Sequence, residues 1–257
     1  MELMDIVYMI FAFILGAAIG SFLNVLICRL PLNMSIIKPK SHCFSCGSPI
    51  KWYDNIPIIS YFILHGKCRV CHTPFSFRYC LVEIMTGILY VLVYFVYRLS
   101  FYTLIFWVVI ACLIVIFFID LEHYIIPDSM IITILLMSIC SMFVSEEKLN
   151  IPLSSRLIAF GLVALVFMII VMMEKLLKKD LMGFGDIKLF GVMALLLGYQ
   201  LLFTGIFVGA VIALLIEVII KKGQRRIIPF GPYLAIGFVI MIFLGTQIMN
   251  YYHSLFI

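Results

Sequence analysis

Apolar runs and short polar breaks alternate along the whole chain. The runs are Ile6–Ile27, Tyr79–Tyr97, Phe101–Ile119, Ser129–Val144, Leu157–Met173, Leu189–Ile220 and about Tyr233–Met249. Runs of roughly 17–25 apolar residues match the hydrocarbon thickness of a bilayer when helical. Leu189–Ile220 is too long for one crossing: thirty-two residues, uncharged except for Glu217, would make a helix of about 48 Å. Two helices turning near Gly198-Tyr199-Gln200 fit it better. The pattern therefore predicts an all-α polytopic membrane protein of about eight transmembrane helices.

Local signals refine this map. Ile6–Ile27 is expected to stay in the protein, because Glu2 and Asp5 precede it and no A-x-A-like site follows. Gly16-Ala-Ala-Ile-Gly20 is a small-xxx-small pattern that lets a second helix approach closely. Ser21 and Asn24 would seek partners inside a bundle, and Arg29 and Pro31 end the helix. Only Arg98, Leu99 and Ser100 separate the next two spans, which predicts an antiparallel pair. Glu83, near the start of the first of them, faces either the boundary or the bundle interior. Pro127 suits the first turn of the following helix, since its missing N–H would be unpaired there anyway.

Composition agrees. The chain is 65% hydrophobic and 12% charged, with mean hydropathy +1.22, whereas soluble domains carry about a quarter charged residues. A net charge of +5 gives no support to nucleic-acid binding, and no internal repeat is evident. The placement of charge is more informative. Segments 28–78, 120–128, 174–188 and 221–232 hold fifteen of the eighteen Lys and Arg, leaving out Arg98, Lys148 and Arg156. Cytoplasmic loops collect Lys and Arg, so both termini are expected outside and those four segments inside. Asp120 and Asp186 then share the cytoplasmic surface.

Asp186 lies in Gly183-Phe-Gly-Asp-Ile-Lys188 at the head of an apolar run, and Asp120 ends another. An Asp at a helix start is ordinarily a cap; a second carboxylate at the same membrane surface changes the reading. Two close carboxylates share a proton, so one can take a proton from an attacking water while the other polarises a carbonyl. Peptide hydrolysis without a covalent intermediate follows. Two other uses stay open on the residues alone. A hard cation would want further oxygen ligands, and a proton relay would make the chain an ion- or proton-coupled transporter. No G-x-S-x-G is present, and His123 and Glu122 read as interfacial side chains. Glu217 lies near a cytoplasmic helix end, within reach of water or Lys221.

Between the first two spans lies the one polar segment large enough for a domain outside the bilayer. Cys43-Phe-Ser-Cys46 and Cys68-Arg-Val-Cys71, twenty-one residues apart, suit a tetrahedral zinc site. Disulfides or free thiols are the alternative, and a reducing cytoplasm disfavours disulfides. Such a closed site of four thiolates would be structural. Cys28, Cys80, Cys112 and Cys140 read as packing residues.

The chain resembles the bacterial type IV prepilin peptidases, the prepilin leader peptidase/N-methyltransferases, over nearly its whole length. The resemblance is carried by Gly20-Ser-Phe-Leu-Asn-Val-Leu-Ile-Cys-Arg-Leu-Pro31 and by the cysteine pairs flanking Trp52-Tyr-Asp-Asn-Ile-Pro57. It continues through Arg78-Tyr-Cys-Leu-Val-Glu83, Asp120 with Pro127-Asp128, Gly183–Lys188 and Pro229-Phe-Gly-Pro232. Phe184, where Met is common, and Cys28, where Tyr or His is frequent, are small departures. The resemblance implies a G-x-G-D aspartic peptidase with Asp120 and Asp186 as its catalytic pair, acting on prepilins or pseudopilins in the bacterial cytoplasmic membrane. It also implies methylation of the new N-terminal amine with S-adenosylmethionine. No glycine-rich nucleotide motif places that donor, and Trp52, Asp54 and Asn55 read first as turn residues. The expected division is a first helix over 1–27, a cytoplasmic zinc-binding, methyltransferase-associated domain over 28–78, and the membrane peptidase core over 79–257.

Overall fold

The structure, a computed structural model, describes residues 3–144, 151–178, 182–220 and 229–256. Side chains at the C-terminal end of the long helix before residue 221, and a few near the C-terminus, are likewise not described. Lys148, Lys179, the side chain of Glu217 and the basic cluster Lys221–Arg226 therefore lie outside the description. The described helices are α1 (Leu3–Arg29), α2 (Ile59–Ile63), α3 (Arg78–Tyr97), α4 (Phe101–His123), α5 (Asp128–Met142), α6 (Leu153–Leu177), α7 (Phe184–Ile220) and α8 (Gly231–Phe256). Six of them are long and apolar enough to cross a membrane, and α5 is a shorter apolar helix. Among the described residues there is no strand beyond two isolated bridges. The chain divides into two compact units, Met1–Leu99 and Ser100–Ile257.

In the first unit α1 and α3 pack with their backbones almost touching. A Cβ on Gly16 would sit 2.8 Å from the Cα of Gly87, and one on Gly20 would sit 2.7 Å from the Cα of Glu83. This is the close approach that the small-xxx-small spacing predicts. Asn24 is buried one turn further on, donating from Nδ2 to the Tyr79 carbonyl at 3.0 Å.

In the second unit α4 is the central helix. It is apolar on every side, and Phe106, Val109, Ile110, Val115, Ile116 and Ile119 are inaccessible. A helix that is hydrophobic all round belongs in the interior. By contrast, Leu157, Ile158, Leu165, Val166 and Met168 of α6 are exposed, as suits side chains whose surroundings are lipid.

The long apolar run does turn. Gly198 interrupts α7 with φ 69° and ψ 177°, leaving two helical limbs. A Cβ there would clash with Ser155 and Ile151 at the start of α6, so glycine is required both for its φ and for the space. The second limb then runs antiparallel to α8. A Cβ on Gly205 would meet Phe238 and Met241, and one on Gly209 would meet the Tyr233 carbonyl. With α7 counted as two limbs, eight apolar segments correspond to the eight expected.

Arg156 differs from its expected place. The sequence pattern leaves it in a polar loop, but α6 begins at Leu153 and Arg156 is buried in its first turn. Its Nη1 donates to the Ser141 hydroxyl at 2.5 Å and to the Leu195 carbonyl at 3.1 Å. Nε donates to the Ile151 carbonyl at 3.3 Å, and Nη2 reaches the Tyr102 hydroxyl at 3.4 Å. Ser141 and Leu195 belong to the C-terminal turns of α5 and of the first α7 limb, whose carbonyls have no intrahelical donor. A guanidinium with five donors and no acceptor meets that need. Arg156→Met should therefore leave several buried groups unpaired at about 1–3 kcal/mol each, with Arg156→Lys intermediate. Thermal unfolding of the purified protein in detergent reads this, and an unchanged Met variant would contradict it.

Candidate active site and metal centre

Asp120 lies in the last turn of α4 and is 5% exposed. A buried carboxylate needs donors, and one comes from the start of α8: the Gly231 N–H donates to Asp120 Oδ2 at 3.0 Å. A Cβ at 231 would lie 2.7 Å from the same oxygen, so only glycine lets the helix start come this near. The positive end of the α8 dipole adds to the attraction. Tyr124, in a left-handed conformation at φ 57°, closes α4 by donating its N–H to the Asp120 carbonyl at 3.0 Å.

Asp186 lies in the first turn of α7 and is half-buried. Its N–H donates to the Gly183 carbonyl at 3.1 Å. Gly185 explains how the two aspartates meet: a Cβ there would stand 2.9 Å from the Cβ of Ile126, in the turn that follows α4. The segment after Asp120 is thus pressed against the residue before Asp186. The two carboxylates lie within electrostatic range of one another. Next to them Lys188 Nζ pairs with Asp128 Oδ1 at 2.7 Å, joining the starts of α7 and α5. Both side chains are exposed, so the pair is worth at most about 1 kcal/mol. His123 and Glu122 are exposed at the end of α4.

The C-terminal end of α4 and the N-terminal ends of α5, α7 and α8 therefore share one end of this unit. Beside Phe184 an open groove of about 470 Å³ is lined by Phe167, Met168, Val171, Glu174 and Lys175. Sequence reasoning missed the part played by Gly231. Its signal was available in Pro229-Phe-Gly-Pro232, a proline-flanked glycine at a helix start.

In the first unit the sulfurs of Cys43, Cys46, Cys68 and Cys71 all lie within 4.8 Å of one another, a group that can hold a metal ion. The two halves are built alike. The N–H of Cys43 donates to the Ser48 carbonyl at 2.9 Å, and that of Cys68 to the Thr73 carbonyl at 2.9 Å. Gly47 at φ 70° and His72 at φ 56° make the turn in each. The Ser48 hydroxyl is 3.2 Å from Cys46 Sγ, and the Thr73 hydroxyl 3.2 Å from Cys71 Sγ. Thr73, by its hydroxyl and then its backbone amide, holds the Cys71 thiol down at about 6. That favours the thiolate, the form that binds metal. Arg69 forks onto Asp54, with Nε 2.9 Å from both carboxylate oxygens, tying the second cysteine turn to Trp52–Asn55.

A polytopic helical membrane protein with paired carboxylates at one end of a helix bundle and a four-cysteine module is the class these features define. Residues 14–97 match the bacterial peptidase A24 N-terminal domain, and residues 107–218 match the type IV leader peptidase family. Among curated relatives, the prepilin leader peptidase/N-methyltransferase of Neisseria gonorrhoeae is 32% identical over 88% of this chain and 87% of its own length. That of Legionella pneumophila is 30% identical over 91% of each. That of Myxococcus xanthus is 36% identical over 70% of this chain, and the match spans only 53% of that relative's length. No solved structure matches the chain. The chain belongs to the type IV leader peptidase family.

Proposed function

We propose that this protein cleaves the leader peptide of type IV prepilins or pseudopilins and then N-methylates the new N-terminal residue, with Asp120 and Asp186 as the catalytic pair of the cleavage. One observation carries the assignment: two carboxylates from different helices are brought to one end of the bundle, in a chain of this family. One carboxylate, ionised, takes the proton of a water as its oxygen attacks the scissile carbonyl. The other, protonated, donates a hydrogen bond to the developing oxyanion and later a proton to the leaving nitrogen. The Gly231 N–H holds Asp120 in place for either part. The groove at Phe184, walled by Phe167, Met168 and Val171, suits the approach of an apolar substrate segment. Decisive carboxylates at one surface, rather than near mid-membrane, weigh against the transporter reading.

Asp120→Asn and Asp186→Asn keep shape and remove the ionisable group. Each should abolish processing of a co-expressed prepilin, and the double variant should be no worse than either, because the two act as one unit. Mass spectrometry of the prepilin N-terminus reads the result. Substantial processing by either inserted single variant would refute the pair.

We infer that the protein lies in the bacterial cytoplasmic membrane with both termini outside, so that cleavage occurs at the cytoplasmic face. The distribution of Lys and Arg supports this, as does the hairpin at Gly198, which returns α7 to the end it started from. Thiol labelling of Lys178→Cys should report the cytoplasm; labelling from outside would reverse the orientation.

Zinc is the metal we assign to Cys43, Cys46, Cys68 and Cys71, since four thiolates suit it. Residues 28–78 would then be a cytoplasmic methyltransferase-associated domain and residues 79–257 the peptidase core, with S-adenosylmethionine as methyl donor. Structural zinc contributes about 10 kcal/mol to folding a small domain. Cys43→Ser should thus lose one zinc per chain and most methylation, while keeping cleavage in part. Normal methylation by a zinc-free variant would separate the module from that reaction.

A further inference from the structure

The first unit contains a buried carboxylate that the cleavage site does not use. Glu83 of α3 is 9% exposed, beneath the segment that follows the first cysteine pair. Its Oε2 accepts the Ile58 N–H at 2.7 Å, and Ser21 of α1 follows Gly20, whose Cβ position would meet the Glu83 Cα. No Lys or Arg among the described residues forms an ion pair with it. A carboxylate offers about four acceptor positions, of which the Ile58 N–H fills one.

Two independent observations surround it. Ile58 has φ 64° and ψ −55°, and the Ile59 N–H closes onto the Pro57 carbonyl at 2.6 Å. This is the γ-turn that β-branched residues rarely adopt, and such strain persists only where its surroundings enforce it, often at functional sites. Asn24, opposite Tyr79 and one turn along α1 from Gly20, is 5% exposed, and its Oδ1 has no partner among the described residues. Gly20 itself lies against the Cα of Glu83. Spare oxygens on Glu83 and an orphaned oxygen on Asn24 are all acceptors. What they lack is a compact group with several N–H donors and no acceptor.

We propose that Glu83, with Asn24 and Ser21, binds a primary or N-methyl ammonium, the α-amino group of a polypeptide. This rests on the methyltransferase reading for its chemistry, and it would make Glu83 the group that receives the methyl acceptor. The ammonium gives one proton to the carboxylate. The freed lone pair forms the new N–C bond to the methyl of a sulfonium donor, as its C–S bond breaks and leaves that electron pair on sulfur. Glu83 then passes its proton to water. The Ile58 N–H keeps the carboxylate aimed while the amine comes and goes.

The test uses the full chain in detergent with its metal bound. The probe is a fluorescent apolar peptide with a free α-amine, compared with its N-acetylated twin by anisotropy. The wild-type chain should bind the free amine about tenfold tighter, a difference of about 1.4 kcal/mol, and so should Asp186→Asn. Glu83→Gln, which can still accept from Ile58, should lose the discrimination. Asn24→Leu should reduce it several-fold and serves if the Gln variant fails to keep zinc and its melting temperature. Equal binding of both peptides by wild type overturns the site, as does discrimination lost in Asp186→Asn but kept in Glu83→Gln. Methyl transfer from S-adenosylmethionine to the same peptide is read separately. Discrimination without transfer supports the ammonium site and tells against the methyltransferase reading.

Discussion

Burying Asp120 at the end of an apolar helix is the constraint on which the second unit is built. An ionisable oxygen removed from water must be met by donors, and here the donor is the first turn of another helix, through Gly231. That single bond requires α8 to begin beside the end of α4. Gly185 then lets the turn after Asp120 lie on the segment before Asp186. Once those ends are joined, the remaining helices are placed by their ability to run away from the site and return.

The far end of the unit makes that return possible. Gly198 reverses α7, and Arg156 supplies donors to the groups exposed where α5 and the first α7 limb stop. Polar groups inside a membrane protein must be satisfied internally. A buried arginine without a carboxylate partner among the described residues is reasonable here because its partners are helix-end carbonyls and hydroxyls. Its effect on the site is indirect: it fixes where the first α7 limb ends, and so where Asp186 begins it.

Much of this was legible in the sequence. Apolar run lengths predicted the helices, and the excess length of Leu189–Ile220 predicted the turn at Gly198. The spacing of Gly16 and Gly20 predicted a close helix pair, and the paired Cys-x-x-Cys motifs predicted a clustered four-thiol group. Three features were not legible, for one shared reason. Arg156 looked like a loop residue because hydropathy reports polarity but not which helix ends will need a donor. Gly231 had no role of its own in the sequence pattern because its N–H acquires meaning only against Asp120, which is far away in sequence. Glu83 was ambiguous because a carboxylate near a helix start can face water or interior equally well until its partner, the strained turn at Ile58, is placed.

The proposed pairing of Asp120 and Asp186 is an arrangement within a single chain. The most direct measurement is site-directed crosslinking of an Asp120→Cys, Asp186→Cys chain whose Cys28, Cys80, Cys112 and Cys140 are replaced by serine, with zinc held on the four remaining native cysteines. A short bifunctional thiol reagent should join the two positions within one chain, giving a single linked peptide after digestion and no dimer on a denaturing gel. Failure to link them in membranes where each cysteine alone reacts, or linkage only between chains, would contradict the pairing.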